Sequence, residues 1–124
     1  MKKRQPSDEG RQGQAALIAL ATYSELKNII LVDEDVDIFD SDDILWAMTT
    51  RMQGDVSITH LPGIRGHQLD PSQAPDYSPS IRGNGITCKT IFDCTVPWAL
   101  KSRFERAPFM EVDPTPWAPE LFKK

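Results

Sequence analysis

The sequence predicts an α/β domain: a small, mostly parallel sheet built on a βαβ unit, with a long Pro/Gly-rich loop and an extended C-terminal tail. Three observations carry that class. Ile29-Ile30-Leu31-Val32 is a short, β-branched apolar run, the pattern of a strand buried on both faces of a parallel sheet. Stretches with helical character lie on either side of it. A second strand pattern, Asp55–His60 (DVSITH), alternates Val56, Ile58 and His60 against Ser57 and Thr59.

Met1–Gly13 is polar, with two glycines and a proline, and reads as a linker or frayed terminus (residues 1–13). Gln14–Tyr23 (QAALIALATY) is rich in Ala and Leu, contains no breaker, and predicts a helix. Being apolar almost all round, it should be covered on more than one side. The first strand follows at Asn28–Val32. Asp40 or Ser41 can cap a second helix over Asp42–Met52, where Asp42 and Asp43 face the positive end of the helix dipole. Ile44, Leu45, Met48 and Met52 form its expected buried stripe, Arg51 lies near its C-terminus and Gly54 ends it. With DVSITH next, strand, helix and strand spell a right-handed βαβ unit.

Nine of the ten prolines follow residue 60. Leu61–Asn84 holds four of them and no periodicity, so it reads as a long loop, of the kind that is functional or disordered. Ile86–Phe92 (ITCKTIF) predicts a third strand, and Pro97–Phe104 a short helix with Pro97 at its first position. The domain is thus expected over residues 14–107. Residues 108–124 form a Pro/aromatic tail that finishes in one helical turn. Trp98, Phe104, Phe109, Trp117 and Phe122 suit packing on a neighbouring domain or subunit better than a free-standing core.

At 124 residues the chain suits one domain with a feasible core. A net charge of −4 with no basic cluster argues against nucleic acid and against an anionic membrane surface. Met1-Lys2-Lys3-Arg4 imitates the start of a signal peptide, but Gln5–Gln14 is polar and Ala15–Ala21 is short, and no stretch approaches a membrane span. The expected location is cytoplasmic. Cys88 and Cys94 are then free thiols, with Cys88 a small buried residue of a strand.

Asp33 to Asp43 contains seven carboxylates. Two unit charges about 6 Å apart in water repel by roughly 0.7 kcal/mol, so solvated neighbours tolerate one another without a cation. An EF-hand is excluded, because Ile38 and Ile44 stand at its glycine and closing glutamate positions. Asp33/Asp35 or Asp35/Asp37 resembles the short Asp-x-Asp motif of metal-dependent sugar-nucleotide transferases, an alternative reading. His60, His67, Cys88 and Cys94 match no zinc spacing, so no metal ligand is assigned. The candidate site is Leu61–Asp70 (LPGIRGHQLD): Leu61, Pro62, Gly63, Ile64, Arg65, Gly66, His67 and Leu69 are its residues. Gly63 and Gly66 with Pro62 shape a tight backbone, while Arg65 and His67 are polar tips able to meet a carboxylate. The alternative is a surface turn in which Arg65 pairs with one of the chain's acids.

Taken together, GQAALIALATYSELKNIILVDEDVDIFDSDDILWAMTTRMQGD and LPGIRGHQLDPS strongly resemble the C-terminal region of UbiD-type decarboxylases. GNGITCKTIFDCTVP is similar to the branch acting on gallate, protocatechuate or vanillate. The resemblance runs from Gln12 to Phe104. It implies a non-oxidative carboxy-lyase family using prenylated flavin mononucleotide and a divalent metal (Mn or Mg), with the flavin as electron sink. The family's Glu-Arg-Glu constellation, metal ligands and most flavin contacts lie upstream of the matched region. No residue here therefore inherits a catalytic, cofactor-binding or metal role, and the chain alone is expected to bind no cofactor. The polar start MKKRQPSDEGRQG reads as a downstream start in a shortened or interrupted frame. The resemblance further implies a domain that supports dimerisation and covers the active site, with Leu61–Leu69 on the substrate side and VDEDVDIFD as a structural corner. The expected partner is a second copy or a separately encoded flavin-binding part. A non-catalytic assembly module, pairing through the first helix and aromatic tail, is the alternative from another class.

Overall fold

Residues 86–92 alternate between half-buried and buried positions, the pattern of a strand covered on both faces. In the computed structural model, which describes residues 1–74, 76–79, 81–108, 112–113 and 115–117, Thr87, Lys89 and Ile91 are buried on one face of this strand. The elements are α1 (Arg11–Thr22), β1 (Asn28–Leu31), α2 (Ser41–Arg51), β2 (Ile58–Arg65) and β3 (Ile86–Asp93), with short 3₁₀ turns at Pro6–Asp8, Pro71–Gln73 and Trp98–Arg103.

The sheet order is β1-β3-β2. β1 runs parallel to β3, from Asn28 opposite Thr90 to Leu31 opposite Asp93. β2 runs antiparallel to β3, from Ile58 opposite Phe92 to Arg65 opposite Ile86. The expected βαβ unit is therefore corrected. β2 does not lie beside β1, and the sheet is mixed, with the parallel pair closed only when β3 enters between them. β3, which has no exposed residue, pairs on both of its edges, whereas most of β2 is exposed, as suits an outer strand. β1 is likewise an edge strand and not buried on both faces: Asn28 and Ile30 are exposed.

α1 covers one face and α2 the other. Ala16 and Leu20 pack on Leu31 and Ile91, with Ile29 and Leu61 beside them. Ala47 packs with Val32, Val36 and Cys94, flanked by Ile44, Met48 and Phe92. Of the stripe foreseen on α2, Ile44, Met48 and Met52 pack against this cluster, while Leu45 points outward and the buried positions are Ala47 and Arg51. α1 is covered on one side only, leaving Leu17 and Ile18 exposed.

The first residues are not a frayed end. Lys3 is buried, its Nζ donating to the Val96 carbonyl and to Glu9, each at 3.0 Å, and Glu34 N–H donates to the Met1 carbonyl. α1 begins at Arg11, three residues before the expected start, because Gly10 takes a left-handed φ of 86° in front of it. The predicted Leu61–Asn84 loop is also shorter. β2 continues through Arg65, and a register shift between Leu61 and Ile64 absorbs Pro62 and Gly63. Pro97 lies just before its 3₁₀ turn rather than inside a helix. Cys88 is half-buried; Cys94 is the fully buried thiol, and both are free. The calls on Pro75, Phe109, Pro114, Pro119, Phe122 and the closing helical turn lie outside the described residues.

Candidate functional site

The end of β2 and the turn after it carry the candidate residues. Gly66 N–H donates to the Gly85 carbonyl at 2.8 Å. A Cβ on Gly66 would stand 2.7 Å from Thr87 Cγ2 and 2.9 Å from Gln73 Nε2, so this close approach requires glycine. Gly85, at φ 79°, lies under the Arg65 guanidinium. Beyond Gly66 the backbone folds over His67, whose Nδ1 accepts from Leu69 N–H at 3.1 Å. His67 Nε2 faces Glu25 Oε1 at 3.6 Å. Asp70 anchors the turn: Lys27 Nζ reaches it at 2.5 Å, and it accepts from the Ser72 N–H and hydroxyl. Lys27 first, then Ser72, holds the Asp70 carboxyl far below the usual carboxylate range.

Arg65, Gly66, His67 and Leu69 thus come together with Ser24 and Glu25 around a small pocket of about 350 Å³. The other candidates stand elsewhere. Leu61 packs with the α1 core cluster, Ile64 is a strand residue, and Pro62 and Gly63 line a separate groove with Arg82 and Ile86. His67 meets a carboxylate; for Arg65 the neighbour is Gly85.

Sequence reasoning missed Lys89. It is fully buried, and its Nζ donates to the Ser24 carbonyl at 2.8 Å and to the Leu20 carbonyl at 3.4 Å. It therefore caps the C-terminal end of α1 and holds the wall on which Glu25 stands. Burial pushes its ammonium pKa down. The signal was present: in ITCKTIF, Lys89 shares the inward register with Thr87 and Ile91.

The acidic corner is held by protein groups. Asp33 Oδ2 accepts from Val96 N–H at 2.8 Å and lies 3.8 Å from Arg51. Asp35 takes both terminal nitrogens of Arg51, and Asp40 caps α2 through Asp42 N–H at 3.0 Å. Asp43 accepts from Asp37 N–H at 2.7 Å and pairs with Arg106. The Arg51 and Arg106 guanidiniums both lie over the Trp46 ring, 4.8 and 3.9 Å from its centre. Arg51 lowers the Asp35 carboxyl and is itself raised by it, and Arg106 lowers Asp43.

This donor set does not fit a divalent metal, since cations or amide hydrogens already occupy these oxygens. Among the described residues no group of three or more His, Cys, Asp or Glu is arranged to hold one. A flavin phosphate fits no better: Asp8 and Glu9 precede α1, and Asp40, Asp42 and Asp43 ring the start of α2. Nor, among the described residues, is any helix long and apolar enough to cross a membrane.

Residues 1–94 match the family model of the 3-octaprenyl-4-hydroxybenzoate carboxy-lyase C-terminal domain, UbiD. The chain belongs to this family. Among curated relatives, the UbiD-family sequence is 54% identical over 107 residues to a gallate decarboxylase of Lactiplantibacillus plantarum, covering 86% of this chain and 22% of that enzyme. Among solved structures it is similar to the apo 3,4-dihydroxybenzoic acid decarboxylase of Enterobacter cloacae, with 96% identity and a TM-score of 0.85. That match covers 98% of this chain and 25% of the other. The UbiD-class enzyme HmfF of Pelotomaculum thermopropionicum, in complex with FMN, is 30% identical with a TM-score of 0.73, covering 88% of this chain and 22% of that one. An evolved dimeric form of HmfF was solved with prFMN. The chain therefore spans about a quarter of the length of its relatives. It is a UbiD C-terminal domain with the small mixed-sheet α/β fold, and its relatives include decarboxylases of aromatic acids.

Proposed function

We propose that this UbiD C-terminal domain serves a carboxy-lyase that decarboxylates a hydroxylated aromatic acid without net oxidation. It is inactive alone and acts by covering the active site and supporting assembly. The observation that carries this reading is the 96% identity, over nearly the whole chain, to a quarter of a 3,4-dihydroxybenzoic acid decarboxylase. Arg65, Gly66 and His67 form the substrate-side segment of the cover, supported by their convergence on one small pocket. The prenylated flavin, which supplies an electron sink when bound, and its metal are assigned to the remainder of the enzyme, because the donor set described above does not fit them. Two free thiols support a cytoplasmic location.

Expression of the isolated chain with a flavin prenyltransferase tests this directly. The expected result is no flavin absorbance and no carbon dioxide release from 3,4-dihydroxybenzoate; turnover by the isolated chain would contradict it. A role in assembly without catalysis is favoured by one specific observation, the exposed α1 face with Leu17 and Ile18 at 49% and 67% exposure and no charged residue from Gln12 to Ser24. Sedimentation at micromolar concentration decides that reading, and a persistent monomer counts against it.

A further inference from the structure

Phe39 is 93% exposed, with Ile38 at 61% and Leu45 at 59% beside it in sequence and one helical turn on. A frayed loop would leave an aromatic ring in water without consequence, but this turn is pinned. Phe39 N–H donates to Asp37 Oδ1 at 2.9 Å, Asp40 N–H to the Asp37 carbonyl at 3.2 Å, and Asp37 N–H to Asp43 Oδ2 at 2.7 Å. Asp40 in turn caps α2 and accepts from Ile44 N–H through its carbonyl. The apolar tips are thus presented on a backbone fixed to the first turn of α2, so little ordering remains to be done on docking.

The rim around them is anionic. Asp37, Asp40 and Asp42 are exposed, and among the described residues the corner's ion pairs go to Glu34, Asp33, Asp35 and Asp43 instead. A second copy presenting the same face would set acid against acid, which disfavours a symmetric pair here. The complement is an apolar pocket edged by Lys and Arg. We propose that Phe39 and Ile38 dock into such a basic-rimmed apolar pocket on the part of the UbiD-type decarboxylase that lies outside this chain. This rests on the reading of the chain as one quarter of that enzyme, and assigns the fixed acidic corner a contact role.

The test uses a full-length 3,4-dihydroxybenzoic acid decarboxylase whose C-terminal quarter is this chain, compared with the chain alone by hydroxyl-radical footprinting. Phe39 oxidation is expected to fall at least tenfold in the full-length enzyme. Asp42→Lys, which reverses a rim charge and leaves the Asp37 and Asp40 side-chain hydrogen bonds in place, should restore part of that reactivity, while Phe39→Ser should loosen the contact without unfolding the chain alone. Equal Phe39 reactivity in both proteins overturns the proposal. So does protection that disappears on dilution to monomer, which would make a second copy the occupant. An inactive full-length enzyme with Phe39 protected would fault the decarboxylase reading and leave the docking standing; an active one with Phe39 reactive would do the reverse.

Discussion

The Arg51 guanidinium, 3% exposed on α2, holds the Asp35 carboxylate through both terminal nitrogens, at 2.9 and 2.5 Å. Asp33 stands 3.8 Å away on the same guanidinium. One buried cation therefore ties the end of β1 to the last turn of α2 and neutralises part of the corner. This is a physical reason that so many carboxylates can crowd a strand end: protein cations meet part of their charge.

Arg51→Met should destabilise the fold by roughly 2 kcal/mol in urea melts at neutral pH. That is below the roughly 3–5 kcal/mol of a fully buried pair, since Asp35 is 44% exposed and is rehydrated when its partner goes. The wild type should also lose stability in acid. The Asp35 carboxyl is lowered in the folded state, so its contribution is present above the unfolded value near 3.8 and fades as pH falls through the folded value. The Arg51→Met protein should lack that acid-side loss, and an unchanged midpoint at neutral pH would contradict the pairing.

Asp70 should show the same sign more strongly at the other end of the molecule. Its carboxyl is held far down by Lys27 and Ser72, so the Lys27–Asp70 tie persists as pH falls through the ordinary carboxylate range. Asp70→Asn removes the charge that Lys27 meets, and should free the 66–73 turn while sparing the sheet. Amide exchange is the measurement: faster exchange at Leu69, Ser72 and Gln73 with unchanged β3 protection is expected.

Gly66→Ala tests the geometry of the candidate pocket. The added methyl meets Thr87 Cγ2 at 2.7 Å and Gln73 Nε2 at 2.9 Å, and overpacking of this kind costs about 1–3 kcal/mol. If the pocket covers the active site as proposed, the same change in a full-length enzyme carrying this chain should lower decarboxylation, since Gly66 and His67 line that pocket together. Gly63→Ala meets no atom within 4 Å but takes a strained φ of 75°, which makes it a control for backbone strain without the clash.

Much of this was legible because local chemistry agreed with the final packing. The Asp40 cap, the acidic first turn and the ITCKTIF alternation each specify their element within a few residues. Strand order was not legible, since β2 and β3 both satisfy a period of two and the choice between them depends on contacts far apart in sequence. β2 was cut short because Pro62 and Gly63 read as loop residues, and only the bulge lets the ladder pass them. At the site, Arg65, Gly66 and His67 could be named from their types, but Glu25 and Ser24 reach them only through the fold.

Lys89 gives the last test, because its burial and its hydrogen bonds pull in opposite directions. Among the described residues no carboxylate meets the buried ammonium, yet it satisfies the Leu20 and Ser24 carbonyls at the negative end of α1. Leaving buried carbonyls unpaired costs about 1–3 kcal/mol each, whereas removing the ammonium recovers part of its desolvation. Lys89→Met, which keeps the volume, should therefore be destabilising at pH 7 by only about 1–2 kcal/mol after this cancellation. The pH dependence separates the two effects. The folded pKa lies below the unfolded value near 10.5, so between them the unfolded chain binds more protons and wild-type stability rises with pH. The Met variant lacks that rise, and the gap between the two proteins should widen from pH 7 to pH 10. Urea midpoints that stay parallel across that range would mean that burial does not depress the Lys89 ammonium.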